Sequence, residues 1–320
     1  MDILYFLFGL FFLWLGAQSL ITATTGISAK YQISGFLSSF FIIGLGTSSP
    51  EIFIAILSSL DGQSIIAIGN VIGSNIANIC LVFSLAILLL PNKQVFNDGL
   101  KREVMVLNSI RSSEILIFFT YLSFLSIVAF LFLLNDMSRI NSFILILLFL
   151  VPIFILKEKD IFSSSTNDNQ HSYLKILLTL IFGLVLLFFG ADILLLGAKS
   201  LATKIGIPDY VIGLSLTAIG TSLPELAAVV VSIREKHYEF IAGNILGSNI
   251  FNIGLALGLA GVISPAILIK AELMRDFMMI IITTIAAYIF IMQGGKSLSK
   301  SISLVLLILF GFYQSGLYII

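Results

Sequence analysis

Charge is scarce in this chain. Only 11% of its 320 residues are Asp, Glu, Lys or Arg, and the 17 basic side chains balance the 17 acidic ones. A chain so poor in charge and so rich in apolar residues is neither disordered nor an ordinary soluble globule, and a net charge of zero supplies no basic field to hold nucleic acid. Cysteine occurs once, at Cys80, which excludes an internal disulfide and reads as a small packing residue on an apolar helix. The two histidines, His171 and His237, fall in polar loops where a solvated imidazole is the default. The single tryptophan, Trp14, sits within an apolar run and reads as a packing residue, not as part of an interfacial belt. There is no His-Glu-x-x-His metal motif, no nucleophile elbow and no pair of intramembrane aspartates, so an intramembrane enzyme lacks its chemistry.

What remains is hydrophobic, 58% of the positions. A bilayer core needs about 20 apolar residues per helical span, and by that measure the chain divides into ten stretches, near 3–22, 33–59, 64–90, 114–134, 140–156, 173–198, 209–232, 239–264, 276–293 and 300–319. The first of them lacks the basic n-region and small-residue cleavage site of a signal peptide and reads as a membrane helix. With the N-terminus outside, twelve Lys and Arg residues fall in cytoplasmic loops and five (Arg139, Lys199, Lys204, Lys270 and Arg275) outside. Positive residues favour the cytoplasm, so both termini are expected to face out across a cytoplasmic membrane. The polar linker 157–172 is too short to fold as a domain and joins two membrane halves, 1–156 and 173–320.

Those halves repeat one another. Gly46-Thr47-Ser48-Ser49-Pro50-Glu51 returns as Gly220-Thr221-Ser222-Leu223-Pro224-Glu225, and Gly69-Asn70-Val71-Ile72-Gly73-Ser74-Asn75-Ile76-Ala77-Asn78 returns as Gly243-Asn244-Ile245-Leu246-Gly247-Ser248-Asn249-Ile250-Phe251-Asn252, both at an offset of 174. The same offset carries Gly16-Ala17 onto Gly190-Ala191, Lys30 onto Lys204 and Lys101 onto Arg275. Five spans per copy is an odd number, so the second copy enters the membrane upside down. The expected fold is therefore an all-α membrane protein of ten transmembrane helices in two inverted five-helix repeats, an architecture of secondary transporters.

Each copy places a glutamate in the membrane, where a carboxylate costs several kcal/mol and marks function. Pro50 cannot donate to the carbonyl of Gly46 and crowds it, and Pro224 does the same at Gly220, so both helices are expected to break there. A carbonyl freed in lipid is tolerated only where it lines a cavity or meets a partner, such as a cation. Thr47 and Ser48 precede Glu51 by four and three residues and share its face; Thr221 and Ser222 stand likewise to Glu225. The following span of each copy adds a hydroxyl and an amide four apart, Ser74 with Asn78 and Ser248 with Asn252, while Gly69, Gly73, Gly243 and Gly247 are spaced for close helix packing. Hard cations take oxygen ligands of this kind, about six to eight for Ca2+. The structural alternative is a polar network stapling four helices, but it leaves two carboxylates with no cation to neutralise them. Asp192 matches Gln18 in the first half and reads as a hydrogen-bonding group within the helix bundle.

These paired segments resemble the two alpha-repeats of the cation/Ca2+ exchanger superfamily, most closely prokaryotic sodium/calcium antiporters and the related potassium-dependent exchangers. The resemblance implies the sodium/calcium exchanger fold, no enzymatic activity and no cofactor, with Ca2+ and Na+ as transported ions, the lipid bilayer as surroundings and no obligate protein partner. It implies Glu51 and Glu225 as central Ca2+ ligands. Thr47, Ser48, Ser74, Asn78, Thr221, Ser222, Ser248 and Asn252 would line Ca2+ and neighbouring Na+ positions, together with backbone carbonyls near Gly44 and Ala218. The first and sixth spans would be a long tilted pair that slides during alternating access. Asn252 is a departure, because many members carry aspartate there; it leaves two central carboxylates and puts potassium dependence in doubt. The implied function is Na+/Ca2+ antiport, normally Ca2+ efflux, against the alternatives of an H+/Ca2+ or other cation exchanger on the same scaffold and of a passive channel.

Overall fold

The computed structural model describes residues 2–90, 113–134, 137–157, 173–204, 206, 219–265, 270–293 and 296–316. The position of Ala218, most of the linker and the start of the seventh apolar stretch lie outside them. Every regular element among the described residues is helical: α1 (Asp2–Tyr31), α2 (Gly35–Thr47), α3 (Ser49–Leu60), α4 (Ser64–Leu89), α5 (Ser113–Leu134), α6 (Arg139–Lys157), α7 (Tyr173–Lys204), α8 (Leu223–Arg234), α9 (Tyr238–Ile263), α10 (Lys270–Gln293) and α11 (Lys296–Gly316). Five are individually long and apolar enough to cross a membrane, and α2 with α3 forms a sixth such unit bent by 44°. Apolar side chains that would be unstable in water cover the outside, among them Leu7, Phe8, Phe53, Leu178, Phe182, Phe189 and Phe312, as lipid contact requires. The chain is a multi-pass membrane protein.

Burial sorts the helices. In α4 and α9, 78% and 83% of the central stretch is buried, against 28% in α1 and in α7. The motif-bearing helices therefore form the centre, and α1 and α7 lie against one side of it.

α1 runs nine residues beyond the expected end of its apolar stretch, to Tyr31. Hydropathy stops at Thr22 because hydroxyls follow. In the helix those hydroxyls disappear into the backbone, with Thr24 donating to the Leu20 carbonyl and Thr25 to that of Ile21, each at 2.8 Å. Such bonds satisfy the side chain within its own helix and let it continue.

α1 and α7 pack antiparallel, with Asp2 ion-paired to Lys204 at one end and Lys30 over the Tyr173 ring, 3.1 Å from its centroid, at the other. Between the ends the two backbones touch. A Cβ added at Gly190 would lie 2.6 Å from the Leu13 nitrogen, and one at Gly16 would lie 2.7 Å from the Leu187 nitrogen. Gly183 stands against Leu20, and Gly9 against Leu194. Each of these contacts recurs at the repeat offset with the helices exchanged, so the pair itself is symmetric. Gly190→Val forces two backbones apart, and overpacking of this kind costs about 1–3 kcal/mol; thermal unfolding of the purified protein is expected to show a lowered Tm.

Two smaller expectations change. Asp192 is exposed on α7, not buried within the bundle. Trp14 is 38% exposed and carries the Arg234 guanidinium 5.5 Å from its ring, a cation–π contact in place of core packing.

Candidate ion-binding site

Both motif helices break where the prolines require it. Ser48 (φ −85°, ψ 2°) separates α2 from α3, and Ser222 (φ −89°, ψ 3°) precedes α8. Pro50 and Pro224 then occupy the first turn of the new helix, where a missing N–H costs nothing. This placement puts Glu51 and Glu225 in the first turn as well, at the positive end of a helix dipole, a favourable place for a carboxylate. Both glutamates are fully buried.

The neighbouring helices change pitch at the site. π-helical turns span Ser39–Gly44 in α2, Asn78–Phe83 in α4 and Phe251–Ala256 in α9. Each widens the helix by one residue per turn and turns side chains to new directions, a feature common at functional sites. Asn78 opens one of these turns and Asn252 lies in another.

Thr47 and Ser248 bring the two copies together. Their hydroxyls are 3.3 Å apart, and the equivalent pair, Ser74 and Thr221, is 3.1 Å apart. Ser248 also reaches the Gly44 carbonyl at 3.4 Å. α2 can approach α9 this closely because Gly247 faces it: a Cβ there would lie 2.6 Å from the Phe40 carbonyl oxygen. Gly243 likewise faces Phe36 and Ser39, whereas a Cβ at Gly69 or Gly73 would meet none of the described atoms within 4 Å. Asn75 donates to the Asn249 backbone carbonyl at 3.2 Å, and Asn78 donates to the Asn249 side-chain oxygen at 3.3 Å. Asn75 and Asn249 are equivalent positions, so their contact marks the axis relating the copies.

Around the glutamates the halves differ. Glu225 Oε1 accepts from Ser48 and from Ser248, each at 3.3 Å; Glu51 lies beside the Ser74 and Thr221 hydroxyls without a hydrogen bond of that geometry. Glu225 Oε2, Asn75 Oδ1, Asn78 Oδ1, Ser222 Oγ and both amide atoms of Asn252 are also buried without a partner. Unsatisfied buried polar atoms are rare in folded proteins, and most of these are oxygens carried by the motif helices. Among the described residues neither glutamate is paired with Lys, Arg or His. A hard cation is the partner such a set of oxygens fits.

The profile of the family described as "Sodium/calcium exchanger protein" matches residues 1–157 and 175–318. The chain belongs to the sodium/calcium exchanger family. It is 29% identical to the putative antiporter CaxA of Alkalimonas amylolytica, over 92% of this chain and 90% of that one. It is 28% identical to the sodium/calcium exchanger MaX1 of Methanosarcina acetivorans, over 92% of each. The solved structure of the sodium-calcium exchanger NCX_Mj soaked with 10 mM Na+ and zero Ca2+ superposes with a TM-score of 0.77 at 26% identity, over 99% of this chain and 98% of that one.

As a member of this exchanger family, the chain is a transporter of cations of the Ca2+ exchange class. Of the residues expected at the site, contacts join Thr47, Ser48, Glu225, Ser248 and the Gly44 carbonyl, and bring Glu51 beside Ser74 and Thr221; Asn78, Ser222 and Asn252 are buried on or next to the same helices. Ala218 lies outside the described residues. Three participants were not singled out from the sequence: Asn75, Asn249 and Asn244. The last is buried, accepts from Thr47 at 3.1 Å and donates to the Glu225 carbonyl at 3.2 Å. Their signal was present, since each occupies a position repeated at the offset of 174 in the motif.

Proposed function

We propose that this exchanger is a Na+/Ca2+ antiporter of the cytoplasmic membrane that works by alternating access and normally extrudes Ca2+. One observation carries the reading: two fully buried carboxylates with no cationic side chain paired to them among the described residues, on helices that bear further buried oxygens without donors. Glu51 and Glu225 are the central Ca2+ ligands in this reading. Thr47, Ser48, Ser74, Asn78, Thr221, Ser222, Ser248, Asn252 and the carbonyls near Gly44 and Ala218 provide the remaining Ca2+ and Na+ positions. One Ca2+ or two Na+ neutralise the pair, whereas the empty site would carry two desolvated anions across the low-dielectric path. Loaded sites move and empty ones are held back, which makes exchange obligatory.

The proposed frame is ten spans in two inverted repeats, 1–156 and 173–320, joined by the cytoplasmic linker 157–172, with both termini outside. The exchanged contacts of α1 with α7 and the touching equivalents Asn75 and Asn249 support it. Ca2+ uptake into proteoliposomes loaded with Na+, with K+ or with a proton gradient tests the coupling ion. Uptake is expected with Na+ loading alone, and equal uptake without Na+ would overturn the assignment and point to a channel or another exchanger.

The hydroxyls that hold Glu225 give a graded prediction. Ser48→Ala or Ser248→Ala removes one of two donors to the same carboxylate oxygen. A hydrogen bond to a charged group contributes about 1.5–3 kcal/mol, so half-saturation by Ca2+ is expected to weaken by about tenfold or more in the same flux assay.

A further inference from the structure

We infer that Asn70 and Asn244, equivalent positions of the two copies, are alternating latches of the transport cycle: Asn244 holds the state seen here, and Asn70 makes the same contacts in the oppositely facing state. The inference rests on the antiport reading for the existence of that second state. Asn244 ties the two motifs to each other, accepting from the Thr47 hydroxyl of the first at 3.1 Å and donating to the Glu225 carbonyl of the second at 3.2 Å. Asparagine suits this bridge because one planar group carries a donor and an acceptor.

At the offset of 174 the equivalent bridge would run from Thr221 through Asn70 to the Glu51 carbonyl. It is not formed: the Asn70 side-chain nitrogen is buried and has no hydrogen-bond partner among the described residues. The same imbalance recurs nearby. Ser48 donates to Glu225, but the hydroxyl of its equivalent Ser222 has no partner. Other contacts are kept in both copies, since Thr47 with Ser248 and Ser74 with Thr221 are both joined. α7 is also placed unequally against the motifs. Its Leu184 lies on Gly46 and its Leu195 on Gly220, whereas repeat symmetry would put Leu10 or Ile21 of α1 on one of them. In a transporter built of inverted repeats the two access states exchange the conformations of the copies, so the contacts missing around Asn70 are those the other state forms.

The test is the ratio of Ca2+ half-saturation measured from the two faces, in right-side-out and inside-out vesicles. Removing a latch disfavours the state it holds. Asn244→Ala is expected to shift that ratio about tenfold in one direction, and Asn70→Ala by a similar factor in the other. The double variant is expected to return close to the parent, because the two biases cancel. A purely structural role would weaken both faces together.

Amide hydrogen exchange on purified protein reads the same equilibrium without transport. Protection of 219–226 relative to 45–52 is expected to fall in Asn244→Ala and to rise in Asn70→Ala. Shifts in the same direction in both variants, or unchanged protection and an unchanged ratio, overturn the latch assignment. If the parent carries no Na+-driven Ca2+ flux while the opposite protection shifts persist, the antiport reading fails, and Asn70 and Asn244 latch two states that serve something other than Na+/Ca2+ antiport.

Discussion

Glu51→Gln and Glu225→Gln are each expected to reduce Na+-driven Ca2+ uptake by at least about a hundredfold while leaving an assembled, monodisperse protein. With both carboxylates ionised, one Ca2+ gives a neutral site. With one carboxylate replaced by an amide, the same ion leaves a net positive charge in a buried place. Two unit charges about 4 Å apart interact with about 4 kcal/mol at an effective dielectric of 20, and a divalent ion roughly doubles that. Part of this is offset because the variant no longer pays to bury an anion, yet a loss of only about 2.7 kcal/mol is already a hundredfold. Assembly is expected to survive at both positions. At Glu51 the amide oxygen of glutamine can still face the Ser74 and Thr221 hydroxyls, and at Glu225 it can still accept from Ser48 and Ser248. Radiolabelled Ca2+ flux with size-exclusion chromatography on the same samples checks both halves of the prediction. Full activity in either variant would remove the central claim.

The sequence made the site legible in proportion to how local its causes are. Breaks at Ser48 and Ser222 follow from one proline and its crowded carbonyl, and the structure places them one residue before α3 and α8. The face shared by Thr47, Ser48 and Glu51 follows from helical spacing alone. What was not legible depends on partners far away in the chain. The π-helical turns at Asn78–Phe83 and Phe251–Ala256 have no residue that demands them; they arise where α4 and α9 pack against each other and against the broken helices. Asn244 stood in the repeated motif without an assigned role, because that role needs Thr47, 197 positions away, as partner. The unequal dressing of Glu51 and Glu225 was beyond any reading of the sequence, since a repeated motif predicts equal halves. The length of α1 was misjudged for a local reason that hydropathy does not count: hydroxyls bonded to their own helix behave as apolar groups.

Gly247→Leu is expected to be the most damaging substitution that leaves every oxygen of the site in place. A Cβ at Gly247 would lie 2.6 Å from the Phe40 carbonyl oxygen and 3.3 Å from the Gly44 Cα. Both are backbone, so no flexible side chain can yield, and α2 as a whole must move off α9. That movement pulls apart the contacts that define the cavity on this side: Thr47 with Asn244, Thr47 with Ser248, and Ser248 with the Gly44 carbonyl. Overpacking costs about 1–3 kcal/mol where surroundings relax and more where they cannot, and here relaxation itself dismantles the site. The expected outcome is loss of Na+-driven Ca2+ flux together with a lowered Tm, with Gly247→Ala intermediate. Gly311 is the control. A Cβ there meets none of the described atoms within 4 Å, so Gly311→Ala is expected to be neutral or to gain up to about 1 kcal/mol from helix propensity. If Gly247→Leu unfolded at the parent temperature and carried the parent flux, close approach of α2 to α9 would not be what assembles the site, and the hydroxyl contacts between the copies would have to form by another route.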